Sequence, residues 1–583
     1  MQDPLPPPPR LAAAFLACAV IAAPLAGCGS SSSSARGSDP ALAVPASAAV
    51  YVAAVVRPTG ALQTRARAAG RTLTHQADPY LRLLGALQTP GSRALDFRRD
   101  LAPWLGARGG IFLSSSAATA RVDLGPLLSL LRAVLLPGSA APTFPFAGGA
   151  GRAGAGQGAI VLDTTDPGRA RAFLSAQAAR AGARGASYRG VAYEATGGGL
   201  GFGLVDRFAV IGTEPALRSV IDTARGGASL AHAPGYAKLL SVGPAEALAH
   251  VYVSGASAAA EASARGGAAP GPLALLTGSR TANISLLPSA SSLVFDADTL
   301  PAAAPGAAGG LLSPGAEAAR AAGELPGESF VAIGFGSAHA ALSQYARALR
   351  SLGSLGGTAT RSGGEAPGAG ISVKGLLAAT LAPVSALTED SAEARRNFQS
   401  WMGPGALFAS GSGLLDLKAG VVISSRNPAL SRAAVAKLAL KLRSSGASVQ
   451  PVSITGTDAA VTARLSGLPL ALDIADGRDA KGQTKFVIGL GEASVAAALA
   501  PSSTLAATSY GGAGMVLGEG IQPALLVQAP TVLSLLESAG LGEDPTVAAI
   551  VPYLRLLSSV AGGSRSLGGG VERFRLVLEL RPS

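Results

Sequence analysis

The sequence predicts an α+β protein of two similar halves, each a mostly antiparallel or mixed sheet with packed helices. Short apolar runs suited to strands alternate with longer runs of helical apolar spacing. Five segments recur in the same order in the two halves of the chain, as an internal duplication would leave them. The chain, at 583 residues, also exceeds the ~250–300 over which one core usually grows.

Ala49–Val56 (AVYVAAVV) is a strand, and Arg57-Pro58-Thr59-Gly60 breaks it before an Ala/Arg-rich helix. SAAVYVAAVVRPTGALQTRARA answers to GESFVAIGFGSAHAALSQYARA. DLAPWLGARGGIFLS around Trp104 answers to NFQSWMGPGALFAS around Trp401, and these are the only two tryptophans. Each could rim a ligand groove, but a large ring in so small-residued a chain is better used as the anchor of a core.

AIVLDTTDPGRARAFLSAQAARAGA then runs as a strand to Leu162, a cap and a helix. Asp166 suits the N-cap and Pro167 the first helical position, where its missing N–H costs nothing. Ala170, Phe173, Leu174 and Ala178 supply the apolar face. The counterpart GVVISSRNPALSRAAVAKLALKLRSSGA places Asn427 and Pro428 alike, with Leu430, Val435, Leu438 and Leu442 as its face. A meander of strands follows near 190–211. DRFAVIGTEPALRSVIDTA, a strand into a Thr213-capped helix, answers to KFVIGLGEASVAAALA, and ALAHVYVSG to PALLVQAPT.

The tail VERFRLVLELRPS alternates cleanly, which sends Phe574, Leu576, Leu578 and Leu580 to a core and Arg573, Arg575 and Glu579 to water. Leu293 and Phe295 take that part in the first half, with Asp296 and Asp298 solvated. VDLGPLLSLLRAVLLPG is cut by Arg132 and is expected as a buried helix. Residues 138–158, 265–280, 301–316 and 353–370 are Gly/Ala/Pro-rich loops.

The N-terminus carries an address. Residues 11–23 (LAAAFLACAVIAA) are uncharged behind Arg10, the size of a signal-peptide core and short of the roughly twenty residues a membrane span needs. Leu25-Ala26-Gly27-Cys28 closes the run with the pattern of a bacterial lipobox, in which the Cys28 thiol takes a diacylglyceryl group and becomes the new N-terminus. Ser30 to Ser34 then form a tether. The expected organisation is a signal peptide over 1–27, a tether over 28–43, a first α+β half over 44–300, a linker over 301–324 and a second half over 325–583. The mature protein is expected on the outer face of the cell membrane.

Composition narrows the partners. The net charge is +12, but the basic residues are scattered, nowhere more than two together, and no basic cluster interleaves with aromatics, so nucleic acid is not expected. The Arg, Ala, Gly and Pro bias is what a GC-rich genome writes. The only cysteines are Cys18, lost with the signal, and Cys28, so the mature chain would have no disulfide and no thiol nucleophile.

Candidate chemistry is sparse. His75, His232, His250 and His339 form no ligand pair, and no catalytic, cofactor or metal site is expected. His250 lies in a strand and is expected to be a hydrogen-bonded partner. Nucleophile-elbow and phosphate-loop motifs are absent from the sequence. Gly149 to Gly154 matches GxGxxG but precedes a strand instead of following one. Asp473, Asp476 and Asp479 miss the spacing of a calcium loop, and Asp476-Gly477 suits a hairpin turn.

With the lipobox, AVYVAAVVRPTG, DLAPWLGARGGIFL, AIVLDTTDP and FAVIGTEPALRSVID in view, the chain resembles the actinobacterial lipoproteins classed as domain of unknown function 3352. The resemblance covers about 45–297 well and the second half more loosely. It implies export and lipid anchoring and brings no catalytic residue. The expected function is a non-catalytic binding or scaffolding lipoprotein of the envelope, with a protein or cell-wall partner. A solute-binding lipoprotein of a transport system is the alternative.

Overall fold

The apolar runs that alternate with Gly- and Pro-containing turns fold as strands of one sheet. The structure, a computed structural model, describes residues 38–74, 96–114, 157–264, 277–278, 280–301, 315–344, 346, 383–384, 386–389, 391–413, 415–465, 470–541, 545–548 and 551–581. The first ten strands are β1 (Val50–Val55), β2 (Leu105–Ser114), β3 (Gln157–Thr164), β4 (Arg184–Tyr188), β5 (Val191–Ala195), β6 (Leu200–Val205), β7 (Phe208–Thr213), β8 (Ala249–Val253), β9 (Ala282–Pro288) and β10 (Ser292–Thr299). The next ten are β11 (Ser329–Phe335), β12 (Met402–Ser410), β13 (Lys418–Ser425), β14 (Ser448–Pro451), β15 (Thr457–Arg464), β16 (Leu472–Arg478), β17 (Thr484–Leu490), β18 (Gln522–Gln528), β19 (Leu557–Gly568) and β20 (Val571–Leu580). The helices used below are α1 (Gly60–Thr74), α2 (Pro167–Arg180), α3 (Glu214–Ala224), α4 (Pro234–Val242), α5 (Gly315–Gly323), α6 (Pro428–Ser444) and α7 (Glu492–Leu499).

The fold is α+β, and every strand pairing described is antiparallel. From edge to edge the order is β4-β5-β6-β7-β3-β2-β1-β8-β9-β10-β20-β19-β18-β11-β12-β13-β17-β16-β15-β14. The middle pair, β10 and β20, aligns eight residue pairs from Ser292↔Glu579 to Thr299↔Glu572. The chain's last strand therefore closes the sheet against a strand from its middle.

The seam overturns one part of the alternation argument. Phe574, Leu576, Leu578 and Leu580 are buried as the pattern requires, in one core with Leu293, Phe295, Trp104 and residues of α2. Arg573, Asp296 and Asp298 are buried too, at 6%, 0% and 0% exposure, instead of facing water. Arg573 donates from Nε and Nη2 to the two Asp298 carboxylate oxygens at 2.7 and 2.8 Å. Arg575 grips Asp296 in the same way, at 2.7 and 2.8 Å. The reason is position: β20 lies at the centre of the sheet, and both faces are covered. Arg573 also donates to the Val242 carbonyl at the end of α4, and Arg575 to Leu517. Burial pushes the Asp298 carboxyl above its ordinary value, against the pull of Arg573.

The helix starts follow the sequence. The Asp166 Oδ1 accepts from the Arg169 N–H at 3.0 Å, and the Asn427 Oδ1 from the Leu430 N–H at 3.2 Å. Thr213 departs from expectation: it occupies the N-cap position of α3, but its hydroxyl makes no capping bond. The end of the 301–324 segment, read as linker, is the helix α5, whose Ala318 and Ala322 are fully buried against the sheet. Alanine and glycine, which look like loop composition, here permit close approach: a Cβ on Gly334 of β11 would meet the Ala318 carbonyl oxygen at 1.9 Å.

The Asp-Gly turn is also displaced. Asp476 and Gly477 lie within β16, and the hairpin turns at Asp479, whose Oδ1 accepts from the N–H groups of Lys481 and Gln483 at 2.9 and 2.8 Å. Gly482, at φ 76°, supplies the left-handed residue of this turn, while Gly477 stays in the strand opposite Lys485, where a Cβ would meet the Gly456 carbonyl oxygen at 2.5 Å. Asp473 and Asp476 are buried, and burial raises both carboxyls.

Candidate functional site

A groove of about 400 Å³, lined in part by charged side chains, lies between α2 and the segment before β2. Asp96 starts that segment by accepting from the Arg99 N–H at 2.8 Å, and Phe97–Leu101 make a single π-helical turn. The turn aims the Asp100 carbonyl at the Trp104 indole N–H, 2.8 Å away. Trp104 is thereby fixed as the groove floor, its ring 5.2 Å from that of Phe173 on α2. Arg99 clamps the Asp100 carboxylate with two bonds of 2.8 Å.

The opposite wall is α2, from which Arg169, Phe173, Gln177 and Arg180 face the groove. Their spacing of four, four and three residues puts them on one helical face. Arg169 lies 3.4 Å from Asp166, at the exposed first turn. Arg180 has no ion-pair or hydrogen-bond partner among the described residues. The apolar spacing of the sequence marks Phe173 as part of the core face but passes over the arginines around it, whose own helical spacing is the signal for this face.

A smaller cavity, about 120 Å³, opens in the second half of the chain between α5, α7 and the sheet. Its cation, Lys485, is only 5% exposed and is held by Glu324 at 2.7 Å, Ser424 at 3.1 Å and Asp479 at 3.6 Å. The remaining wall is apolar, with Leu325, Val422 and Leu499. The cation here is already satisfied by protein carboxylates.

The residues singled out from sequence fall as follows. Cys28, His75, the 122–138 helix and the Gly149–Gly154 motif lie outside the described residues. His250 on β8 shares a hydrogen bond of 3.0 Å with the Tyr236 hydroxyl, among the rings of Tyr51 and Tyr236. Burial pushes its imidazole down to about 4, with Asp39 opposing and Arg108 assisting. Tyr51, in the same cluster, has a buried hydroxyl with no hydrogen-bond partner among the described residues. His232 shares a bond with Ser229 at 2.8 Å, in a turn on another part of the fold, and His339 follows β11. Among the described residues no three His, Cys, Asp or Glu side chains converge on a metal position, and no helix is long and apolar enough to cross a membrane. Trp104 and Trp401 are both core residues, at 2% and 0% exposure, and Trp104 also lines the floor of the groove.

Comparison with known proteins adds a family and little else. No curated protein matches the sequence. Crystal forms III and I of TP0453 are similar at a TM-score of 0.25 and 10% identity, over 46% of this chain and 81% of that one, a likeness too slight to carry any inference. The model of the family described as "Protein of unknown function (DUF3352)" matches residues 11–361, more than half of the chain, and the protein belongs to that family.

Proposed function

We propose that the protein is an exported lipoprotein, anchored through Cys28 to the outer face of the cell membrane, whose folded body binds or scaffolds without covalent chemistry. The observation that carries this is Leu25-Ala26-Gly27-Cys28 behind an apolar run and ahead of Ser30 to Ser34. The Asp39-capped turn at Pro40–Leu42, buried at Pro40 and Ala41, is compatible with it and places folded structure inside the segment 28–43 expected as tether. Two acyl chains hold a protein stably at a membrane, where one is marginal. Cys28→Ala is therefore expected to move the protein from the membrane fraction to the medium or to an unprocessed precursor. A processed Cys28→Ala protein retained equally in membranes would sink the proposal.

The body, on this view, is two copies of one α+β unit. Outward from the seam the strands run β10-β9-β8-β1-β2-β3-β7-β6-β5-β4 on one side and β20-β19-β18-β11-β12-β13-β17-β16-β15-β14 on the other, which supports a duplication strand for strand. So does the π-helical turn before each tryptophan, whose indole N–H bonds the carbonyl four residues back in both. A two-lobed solute receptor is the competing function. Such lobes close about a hinge, and the ladder and shared core at β10 and β20 favour a single rigid body.

A further inference from the structure

We infer that the cavity beside Lys485 binds a small ligand with one ammonium group and a short apolar body, the ammonium on Glu324 Oε1 and the body against Leu325, Val422 and Leu499. The inference deepens the binding role proposed above and does not depend on the lipid anchor. Four charged side chains line the cavity: Glu324, Asp479, Lys481 and Lys485. The Lys485 Nζ has three N–H donors, and around it lie Glu324 Oε2 at 2.7 Å, Ser424 Oγ at 3.1 Å and Asp479 Oδ2 at 3.6 Å. No donor is left there for an anionic ligand. The other Asp479 oxygen, Oδ1, accepts from the backbone N–H groups of Lys481 and Gln483. Glu324 Oε1 is different: its one partner among the described residues is the Lys481 Nζ at 3.5 Å, beyond the usual range of a hydrogen bond. Lys485 set against Glu324 and Asp479 leaves one formal negative charge, and Lys481 balances it from a side chain 69% exposed. The cavity thus has a spare acceptor and a loosely held cation that a ligand's ammonium can replace.

The acceptor is held in place by the backbone around it. The Ala506 N–H donates to the Gly323 carbonyl at 3.0 Å and the Leu505 N–H to the Leu325 carbonyl at 2.9 Å, which fixes the chain on both sides of Glu324. The first half of the chain fills the corresponding place differently. Ser424 and Asp163 each stand four residues before a helix-opening proline, and their cross-strand partners are Lys485 and Phe208. Phe208 is a core ring at 6% exposure. Desolvating a lysine and two acids gains little over such a ring, so filling space does not account for them. The rest of the cavity wall is aliphatic, including Ala321 of α5. An apolar cavity of about 150 Å³ accepts one benzene ring, so a cavity of about 120 Å³ suits a body of about four or five carbons.

Titration calorimetry of the full chain in non-ionic detergent at low salt tests the assignment, with isoamylamine, leucine, isoamyl alcohol and isovalerate as probes. Saturable binding of isoamylamine, weakening with added salt, is expected, with none of isoamyl alcohol or isovalerate. Leucine carries the same ammonium and body with a carboxylate added. Leucine bound more tightly than isoamylamine would identify an amino acid as the source, with Lys481 taking its carboxylate; leucine bound no more tightly would identify a simple amine. Isoamylamine should bind a few-fold tighter to Lys481→Gln, which lacks the competing ammonium. Glu324→Gln should weaken isoamylamine roughly tenfold or more. Because that change also slackens the hold on Lys485, Ala321→Leu is the second variant: it fills the cavity from α5, leaves every charge in place and should abolish binding with the melting temperature close to that of the native protein. Absence of saturable binding by both ammonium probes, isovalerate bound as tightly as isoamylamine, or native affinity in both Glu324→Gln and Ala321→Leu overturns the inference. Fractionation of Cys28→Ala is read separately, so loss of the ligand site and loss of the anchor cannot be confused.

Discussion

Arg573 and Asp298 sit on neighbouring strands at positions that period-two patterning assigns to water, and both are instead buried against each other. A buried ion pair gains little over apolar residues of the same size, but a lone buried charge is expensive. Arg573→Ala would leave Asp298 buried with neither of its two guanidinium bonds, and is expected to destabilise the protein by about 3–5 kcal/mol. Replacing both partners, as Arg573→Met with Asp298→Leu, should cost clearly less than Arg573→Ala alone. Urea unfolding of the three proteins checks this, and an Arg573→Ala cost under about 1 kcal/mol would contradict the buried pairing. Sequence could name these residues and their alternation. It could not say that α4 and Leu517 cover the second face of the strand, because these lie 331 and 58 residues away in the chain from the arginines they meet.

At the scale of elements, local chemistry was the reliable guide. Asp166-Pro167 and Asn427-Pro428 open helices because a side-chain acceptor and a fixed φ act within four residues. Thr213 has the same local credentials, yet its hydroxyl caps nothing, and the Asp476-Gly477 turn moved three residues on to Asp479. Composition misled most at α5, where alanines that resemble linker are the means by which a helix sits directly on β11. Gly334→Ala is expected to destabilise by about 1–3 kcal/mol or more, since the methyl would overlap backbone that cannot yield without moving α5. Gly185→Ala on the edge strand β4, where a Cβ meets nothing within 4 Å, should be neutral or slightly stabilising. Thermal melts of the two variants compare them directly; equal effects would mean that α5 is not seated as described.

For the whole molecule, the central question is whether the two halves are independent domains. The core that holds Trp104 and α2 also holds Phe574, Leu576, Leu578 and Leu580 from the last strand of the chain, and β10 with β20 adds an eight-residue ladder. Unfolding either half would strip a partner from the other, so one cooperative transition is expected despite the length of the chain. Trp401→Phe leaves Trp104 as the fluorescence reporter of the first half, and Trp104→Phe leaves Trp401 for the second. In each variant the fluorescence transition in urea should coincide with that of far-ultraviolet circular dichroism. Separated midpoints would show two independent domains joined only in sequence.

By itself the sequence determined what is local or periodic: the strand and helix segments, the proline-marked helix starts, the two tryptophan anchors, the recurrence of segments, and family membership. These follow from side-chain volume, backbone restriction and apolar spacing over a few residues. The tertiary structure alone decided that the described strands join edge to edge into one sheet of twenty, and that the acids of the seam and Arg573 are buried. Each of those depends on desolvation and on pairing between residues far apart in the chain, and neither quantity has a value until the fold brings the partners together.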